Sequence, residues 1–172
     1  FEESYGYLSG THSRDKDGVV ACLLVCEAAA YYKTLGKTLF DVLEDIFSRF
    51  GAYAEDLKAI TLEGIEGVQK IKEMISELRS NPPKEIDGVK VESVADYKLR
   101  KITYADGKTK DLTLPVSDVL LFTLEDKSTF AIRPSGTEPK VKIYFGVNDK
   151  TYALALEKLA KFKESVTKIV VK

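Results

Sequence analysis

The residues with the clearest chemical potential are Arg133-Pro134-Ser135-Gly136-Thr137-Glu138-Pro139, followed closely by Lys142. A phosphate ligand needs positive charge, several hydrogen-bond donors and close approach of the backbone. Arg133 offers a planar fork that matches phosphate oxygens in pairs. Ser135 and Thr137 offer hydroxyl donors. Gly136 can reach backbone angles that turn N–H groups toward an anion. Lys142 shares strand parity with Lys140 and Tyr144 and brings a second cation close to the loop. Charge-assisted hydrogen bonds contribute about 1.5–3 kcal/mol each, so three or four would hold a dianion. The segment is not a P-loop, because G-x-x-x-x-G-K-[ST] is absent. A tight Pro/Ser/Gly turn with one surface arginine has the same composition, and residue types alone leave both readings open.

The rest of the chain says what such a site must be built on. The formal net charge over 172 residues is −1, so no broad basic field points to a nucleic acid and an anion site has to be assembled locally. Hydrophobic residues at 44% and charged residues at 31% suit a globular protein with a real core. Cys22 and Cys26 are four apart in an apolar run, which is neither zinc-ribbon nor CxxC spacing. They read as two small hydrophobes buried on one helix face. Two cysteines and no secretory signal point to a reducing cytoplasm. Glu27 breaks the longest apolar stretch, leaving it too short to span a bilayer. His12, the only histidine, reads as an exposed loop residue.

Residues 1–18 have no period and form a loop. Asp17 caps a helix over 19–35 that is apolar nearly all round in its first half, hence buried, and that stops at Gly36. Thr38 with Asp41 makes a weaker capping box for a second helix, striped by Leu39, Val42, Leu43, Ile46, Phe47 and Phe50 and ended by Gly51. These two helices have no strand of their own to cover and are expected to pack on something outside these residues. From residue 52 the pattern changes. Leu57, Ala59 and Thr61 alternate as a strand, and Ile65, Val68, Ile71, Ile75 and Leu78 mark a helix stopped by Asn81, Pro82 and Pro83. Short strands follow at 89–94, 102–104 and 109–114, the last two joined across Asp106-Gly107, a hairpin signal. Strands at 119–124 and 129–132 flank a polar turn at 125–127. Residues 140–147 alternate, with Val141, Ile143, Phe145 and Val147 on one face. A last helix is striped by Tyr152, Leu156, Leu159, Phe162, Val166 and Ile169. The fold class is therefore α+β: a mostly antiparallel sheet flanked by helices, preceded by a loop and two helices. Residues 1–51 form one piece and 52–172 the other.

The loop at 133–139, followed by Lys-Val-Lys-Ile-Tyr-Phe, resembles the phosphate-binding loop in the last domain of the α-D-phosphohexomutases. That family takes in phosphoglucomutases, phosphomannomutases and phosphoglucosamine mutases. The resemblance implies that Arg133, Ser135, Gly136 and Thr137 hold the substrate's phosphate, with Lys142 as a further contact. It also implies a last domain similar to the TATA-box-binding protein, with the loop and two helices before it coming from a truncated α/β domain. Phe1-Glu2-Glu3-Ser4-Tyr5-Gly6 resembles the family's sugar-binding loop, with Phe1 in place of the usual glycine. On that match Glu2 and Ser4 bind adjacent hexose hydroxyls. Residues 12–18 look like the segment before the next helix, whose lysine enters the active site. Lys16 is thus the candidate acid/base or phosphate partner, with Arg14 less supported. The two N-terminal segments together favour the phosphoglucomutase- and phosphopentomutase-like branch.

What the resemblance implies for the whole protein follows. Such a mutase interconverts glucose 1-phosphate and glucose 6-phosphate through a phosphoserine and a bisphosphorylated sugar, using Mg2+, with glucose 1,6-bisphosphate as intermediate or activator. The serine loop and the aspartate-rich metal loop have no counterpart in these residues. The expectation is a fragment without metal ligands, inactive alone, whose partners are a hexose phosphate and the missing N-terminal domains, with no nucleic acid and no membrane. The alternatives are a phosphomannomutase or phosphopentomutase of the same family, or a non-catalytic phosphosugar-binding module.

Overall fold

A computed structural model describes residues 7–62, 64–136 and 138–171. Its elements run α1 (Gly18–Thr34), α2 (Leu39–Phe50), β1 (Ala52–Thr61), α3 (Gly64–Ser80), β2 (Glu85–Ile86), β3 (Val89–Asp96), β4 (Lys101–Tyr104), β5 (Thr109–Asp111), β6 (Leu120–Leu124), β7 (Thr129–Pro134), β8 (Lys140–Asp149) and α4 (Tyr152–Val170). The chain divides into two units, one ending at Phe50 and the other starting at Gly51.

The first unit contains α1 and α2. Asp17 caps α1 by accepting from the N–H groups of Val19 at 2.9 Å and Val20 at 3.1 Å. Thr38 and Asp41 form the reciprocal box at α2: Asp41 accepts from the Thr38 N–H at 2.7 Å, and its own N–H donates to the Thr38 hydroxyl at 3.2 Å. Gly36 takes a left-handed φ of 70° just past the end of α1. The expectation of burial fails here. No residue of α1 or α2 is buried, and Cys22 and Cys26 are both exposed. The physical reason is that α1 is apolar around most of its circumference while its one described helical neighbour, α2, contacts only part of it. No single described helix is long and apolar enough to cross a membrane; α1 and α2 pass by composition only as a pair bent by 86°.

The second unit is built on a sheet of strand order β1-β8-β7-β6-β3-β4-β5, with β2 paired to β3. Every described pairing is antiparallel. Directly opposed residues share a face, so the registers divide the sheet cleanly. One face presents Val141, Ile143, Phe145 and Val147 of β8, Phe130 and Ile132 of β7, and Leu120 and Phe122 of β6, all buried. Helix α4 lies on β8 and β1 and buries Ala155, Leu159, Phe162, Val166 and Val170. Its buried stripe is rotated from the expected one, leaving Tyr152 and Leu156 exposed. Helix α3 adds Ile71, Ile75 and Leu78. Phe122 stacks on Phe130 at 4.3 Å between centroids, and Phe162 meets Phe130 and Phe145 edge-on.

Strand β1 inverts the expected phase. Leu57, Ala59 and Thr61 face away from the helices, and Asp56 and Lys58 stand opposite Phe145 and Ile143 on the helix side. The charges are accommodated because α4 supplies partners. Lys163 donates to Asp56, and Lys58 Nζ reaches the Thr167 hydroxyl at 3.4 Å. Lys158 likewise pairs with Asp126 at 2.8 Å, tying α4 to the β6–β7 turn.

The hydrogen bond from Lys163 holds the Asp56 carboxyl below its ordinary pKa, against the opposing effect of burial. A lowered folded-state value gives stability that is complete above the ordinary carboxylate pKa and is lost as pH falls through the folded value. Asp56→Asn should therefore lower the thermal midpoint at neutral pH by about 1–3 °C, the scale of a partly exposed pair in a chain of this size. The difference from the parent chain should close in acid. A gap that stayed constant between about pH 7 and about pH 2.5 would count against the ion pair.

Candidate functional site

The residues singled out in the loop lie where β7 ends and β8 begins. Pairing of the two strands sets Arg133 directly opposite Lys142, one step beyond Ile132 opposite Ile143. The isoleucines point to the buried face that α4 covers, so the two cations share the opposite face. Lys142 is also opposite Ala59 of β1, and Lys140 opposite Thr61. The small Ala59 side chain leaves room on that side. Among the described residues, neither Arg133, Lys140 nor Lys142 has a carboxylate within salt-bridge distance. Like charges directly across a ladder are unfavourable. This pair is therefore held by the sheet, at an electrostatic cost that an anion would offset.

The turn between the strands is braced by its own backbone. The Ser135 N–H donates to Lys140 O at 2.7 Å, and the Lys140 N–H donates to Glu138 O at 2.7 Å. The Glu138 N–H donates to the Ser135 hydroxyl oxygen at 3.2 Å. From the β1–α3 turn, the Leu62 N–H donates to Pro139 O at 2.9 Å. That turn is itself pressed against α3, since a Cβ on Gly67 would lie 2.0 Å from Leu62 O. Only glycine permits this approach.

Gly136 departs from its expected role. Its φ is not in the left-handed region, so the special backbone angle invoked for a nest is not used. What it provides is access: a Cβ there would meet nothing within 4 Å, so a ligand can reach the main chain at the tip. Glu2, Ser4 and Thr137 lie outside the described residues.

Lys16 sits in the other unit, one residue before the N-cap of α1. It is exposed, its N–H donates to Asp15 Oδ1 at 2.7 Å, and its ammonium lies 3.9 Å from the same oxygen. His12 is tied to the capping residue, with Nε2 3.1 Å from Asp17 Oδ2. The Asp17 carboxyl is held low in pKa first by the Val20 N–H, then by the His12 contact and the Val19 N–H. His12 thus has a local structural task at the head of α1. Arg14 is exposed.

Sequence reasoning missed the groups on the other side of the loop. A cavity of about 380 Å3 opens between Pro134, Ser135 and Pro139 and helix α3, with Lys72, Arg79 and Lys98 in its wall. Arg79 is already committed, with Nε 2.8 Å from Asp96 and a terminal nitrogen 2.6 Å from Asp118. Burial opposes its charge, but the hydrogen bonds to Asp118 and Asp96 carry its pKa upward. Asp96 also accepts from the N–H groups of Lys98 and Leu99. This network pins the ends of α3, β3 and β6 at the same end of the sheet as the loop. Arg79 is thus committed to a structural task, and Lys98 Nζ lies 4.0 Å from the same Asp118. Arg79 in the last turn of a helix carried no sequence signal for this, because its partners lie 17 and 39 residues away. Among the described residues no group of three or more His, Cys, Asp or Glu side chains is placed to hold a metal ion.

Comparison with known proteins completes the picture. Residues 1–50 match "Phosphoglucomutase/phosphomannomutase, alpha/beta/alpha domain III", and residues 56–160 match "Phosphoglucomutase/phosphomannomutase, C-terminal domain". A phosphoglucomutase of Staphylococcus aureus (strain MSSA476) is 40% identical over 160 residues, covering 92% of this chain and 29% of that protein. One from the bovine strain RF122 / ET3-1 is 44% identical over 145 residues, covering 84% of this chain and 26% of that protein. The chain therefore spans less than a third of the length of these relatives. Two adjacent family domains in chain order, the second carrying a braced loop with paired cations, establish that the chain belongs to the phosphoglucomutase/phosphomannomutase family.

Proposed function

We propose that this chain is the C-terminal part of a mutase interconverting glucose 1-phosphate and glucose 6-phosphate, and that the face bearing Arg133 and Lys142 grips the sugar's phosphate remote from the reacting centre. The observation that carries this is the like-charged cross-strand pair without a carboxylate partner, set beside an open, glycine-tipped turn. A phosphate dianion would neutralise both charges. Arg133 would present its fork, and Ser135, Thr137 and the main chain at Gly136 would complete the shell. Residues 1–51 would close the third domain, with Glu2 and Ser4 on the hexose hydroxyls. A site built to hydrogen-bond those hydroxyls rejects sugars that lack one. Lys16 would serve as acid/base or as a further phosphate partner.

The rest of the machinery lies in the length that the relatives have and this chain does not span. On this reading it holds the phosphoserine and the Mg2+ ligands, and the bisphosphorylated sugar passes between them and the loop. Magnesium, when bound there, would supply charge stabilisation for phosphoryl transfer. The part played here is binding and orientation: gripping one end of the substrate fixes the other and helps exclude water as the last domain closes. The same reading places the enzyme in the cytoplasm, where the two exposed thiols of α1 stay reduced. A phosphomannomutase or phosphopentomutase would use the same loop, and the choice of sugar rests with groups beyond it.

Three outcomes test this. Calorimetric titration of the chain with glucose 6-phosphate should give an affinity that falls with added salt. Arg133→Ala should weaken it by roughly ten- to a hundredfold, the loss of one or two charge-assisted bonds; an unchanged affinity would remove the loop from the site. Residues 1–172 alone should not convert glucose 1-phosphate to glucose 6-phosphate, and magnesium-dependent turnover by them would sink the assignment of the chemistry elsewhere. In the full-length enzyme, Arg133→Ala should lower kcat/KM by about the same factor as it weakens binding, and Lys142→Ala by less. Wild-type kcat/KM in both variants would refute the proposed grip.

A further inference from the structure

The second unit carries another concavity, whose lining includes none of residues 133–139. Helices α3 and α4 pack on the β1–β8 side of the sheet, and the sheet runs on past the end of α3 through β3 and β4. Between that helix end and the exposed continuation lies a hollow of about 850 Å3. Small-ligand sites occupy roughly 300–1,000 Å3. Its apolar lining includes Val94 and Leu99, and Leu99 is 65% exposed. Three lysines, Lys84, Lys90 and Lys101, stand around it. Among the described residues none of the three has a carboxylate within salt-bridge distance. Arg79, Lys84, Lys90 and Lys101 in the lining against Glu85 and Asp96 leave an excess of two positive charges, and Asp96 is taken up by Arg79.

We propose that this hollow binds an aromatic organic anion, a flat ring bearing a carboxylate, sulfonate or phosphate. The ring would lie on Leu99 and Val94, and the anionic group would meet the lysines. An apolar floor with cations only at its margin selects that combination: a small inorganic ion would leave the floor in water, and a neutral ring would leave the lysines unpaired. Val94 is on the same face of the sheet as Phe122, whereas Arg133 is on the opposite face. The two sites are therefore separate, and this one stands or falls without the phosphate loop.

The test uses the full chain labelled for nitrogen–proton spectra and titrated with anilinonaphthalene sulfonate, an aromatic sulfonate. Saturable shift changes are expected at Val94, Leu99, Thr103 and Tyr104, and Arg133→Ala should leave the affinity unchanged. Lys84→Glu with Lys101→Glu should weaken binding about tenfold, as should replacing the probe by its uncharged analogue phenylnaphthylamine. The second comparison is made on the unaltered chain and does not depend on the variant folding. The proposal is overturned if the shifts fall instead on the exposed apolar residues of α1 and α2, such as Leu23 and Phe40, if the uncharged probe binds as well, or if no saturable binding occurs.

Discussion

Strand β8 is paired along both edges, to β1 on one side and β7 on the other, and its two faces do different things. Val141, Ile143, Phe145 and Val147 form the middle of the core, while Lys142 stands on the reverse face opposite Arg133. A one-residue slip of this ladder would bury the lysine and expose the isoleucine. The hydrophobic effect that fixes the register therefore also fixes the cation pair. Full burial of side chains of this kind is worth about 1.5–3 kcal/mol each, well above the repulsion of two solvated charges. The core can hold the cations together at a distance where, alone, they would separate.

The end of the sheet is rigid for a second reason. Asp96, Arg79 and Asp118 bind α3, β3 and β6 to one another close to the loop. Arg79 and Asp96 are largely buried, so removing either would leave the other without its partner, which costs far more than a surface pair. The Leu62–Pro139 hydrogen bond and the Gly67 contact then attach the β1–α3 turn to the loop. A grip on phosphate requires donors fixed before the ligand arrives. Here the fixing is done by groups that do not face the ligand.

The two units differ in how much of their apolar surface they cover. In the second, sheet and helices enclose a core. In the first, α1 and α2 show Val19, Leu23, Phe40 and Phe50 to solvent. The residues that match the alpha/beta/alpha domain include, among those described, two helices and no strand, and the relatives are more than three times as long as this chain. Cys22 and Cys26 share that situation. The reading of them as buried side chains is not met among the described residues.

Local chemistry was legible in the sequence. Asp17, Thr38 with Asp41, Gly36, Gly51 and the Asp106-Gly107 hairpin act through residues a few positions away, so their partners are present in any window that contains them. The strands β3 to β8 and the loop at 133–139 were visible for the same reason, together with the resemblance that points to phosphate. Three features were decided only by tertiary structure. The phase of β1 depends on α4, because Lys163 and Thr167 make the Asp56–Lys58 face tolerable on the helix side. The Arg79 network depends on carboxylates far along the chain. The pairing of Arg133 with Lys142 depends on the β7–β8 register. Composition shows that cations are available for a phosphate; the burial of Ile132 and Ile143 is what sets two of them side by side on the same face.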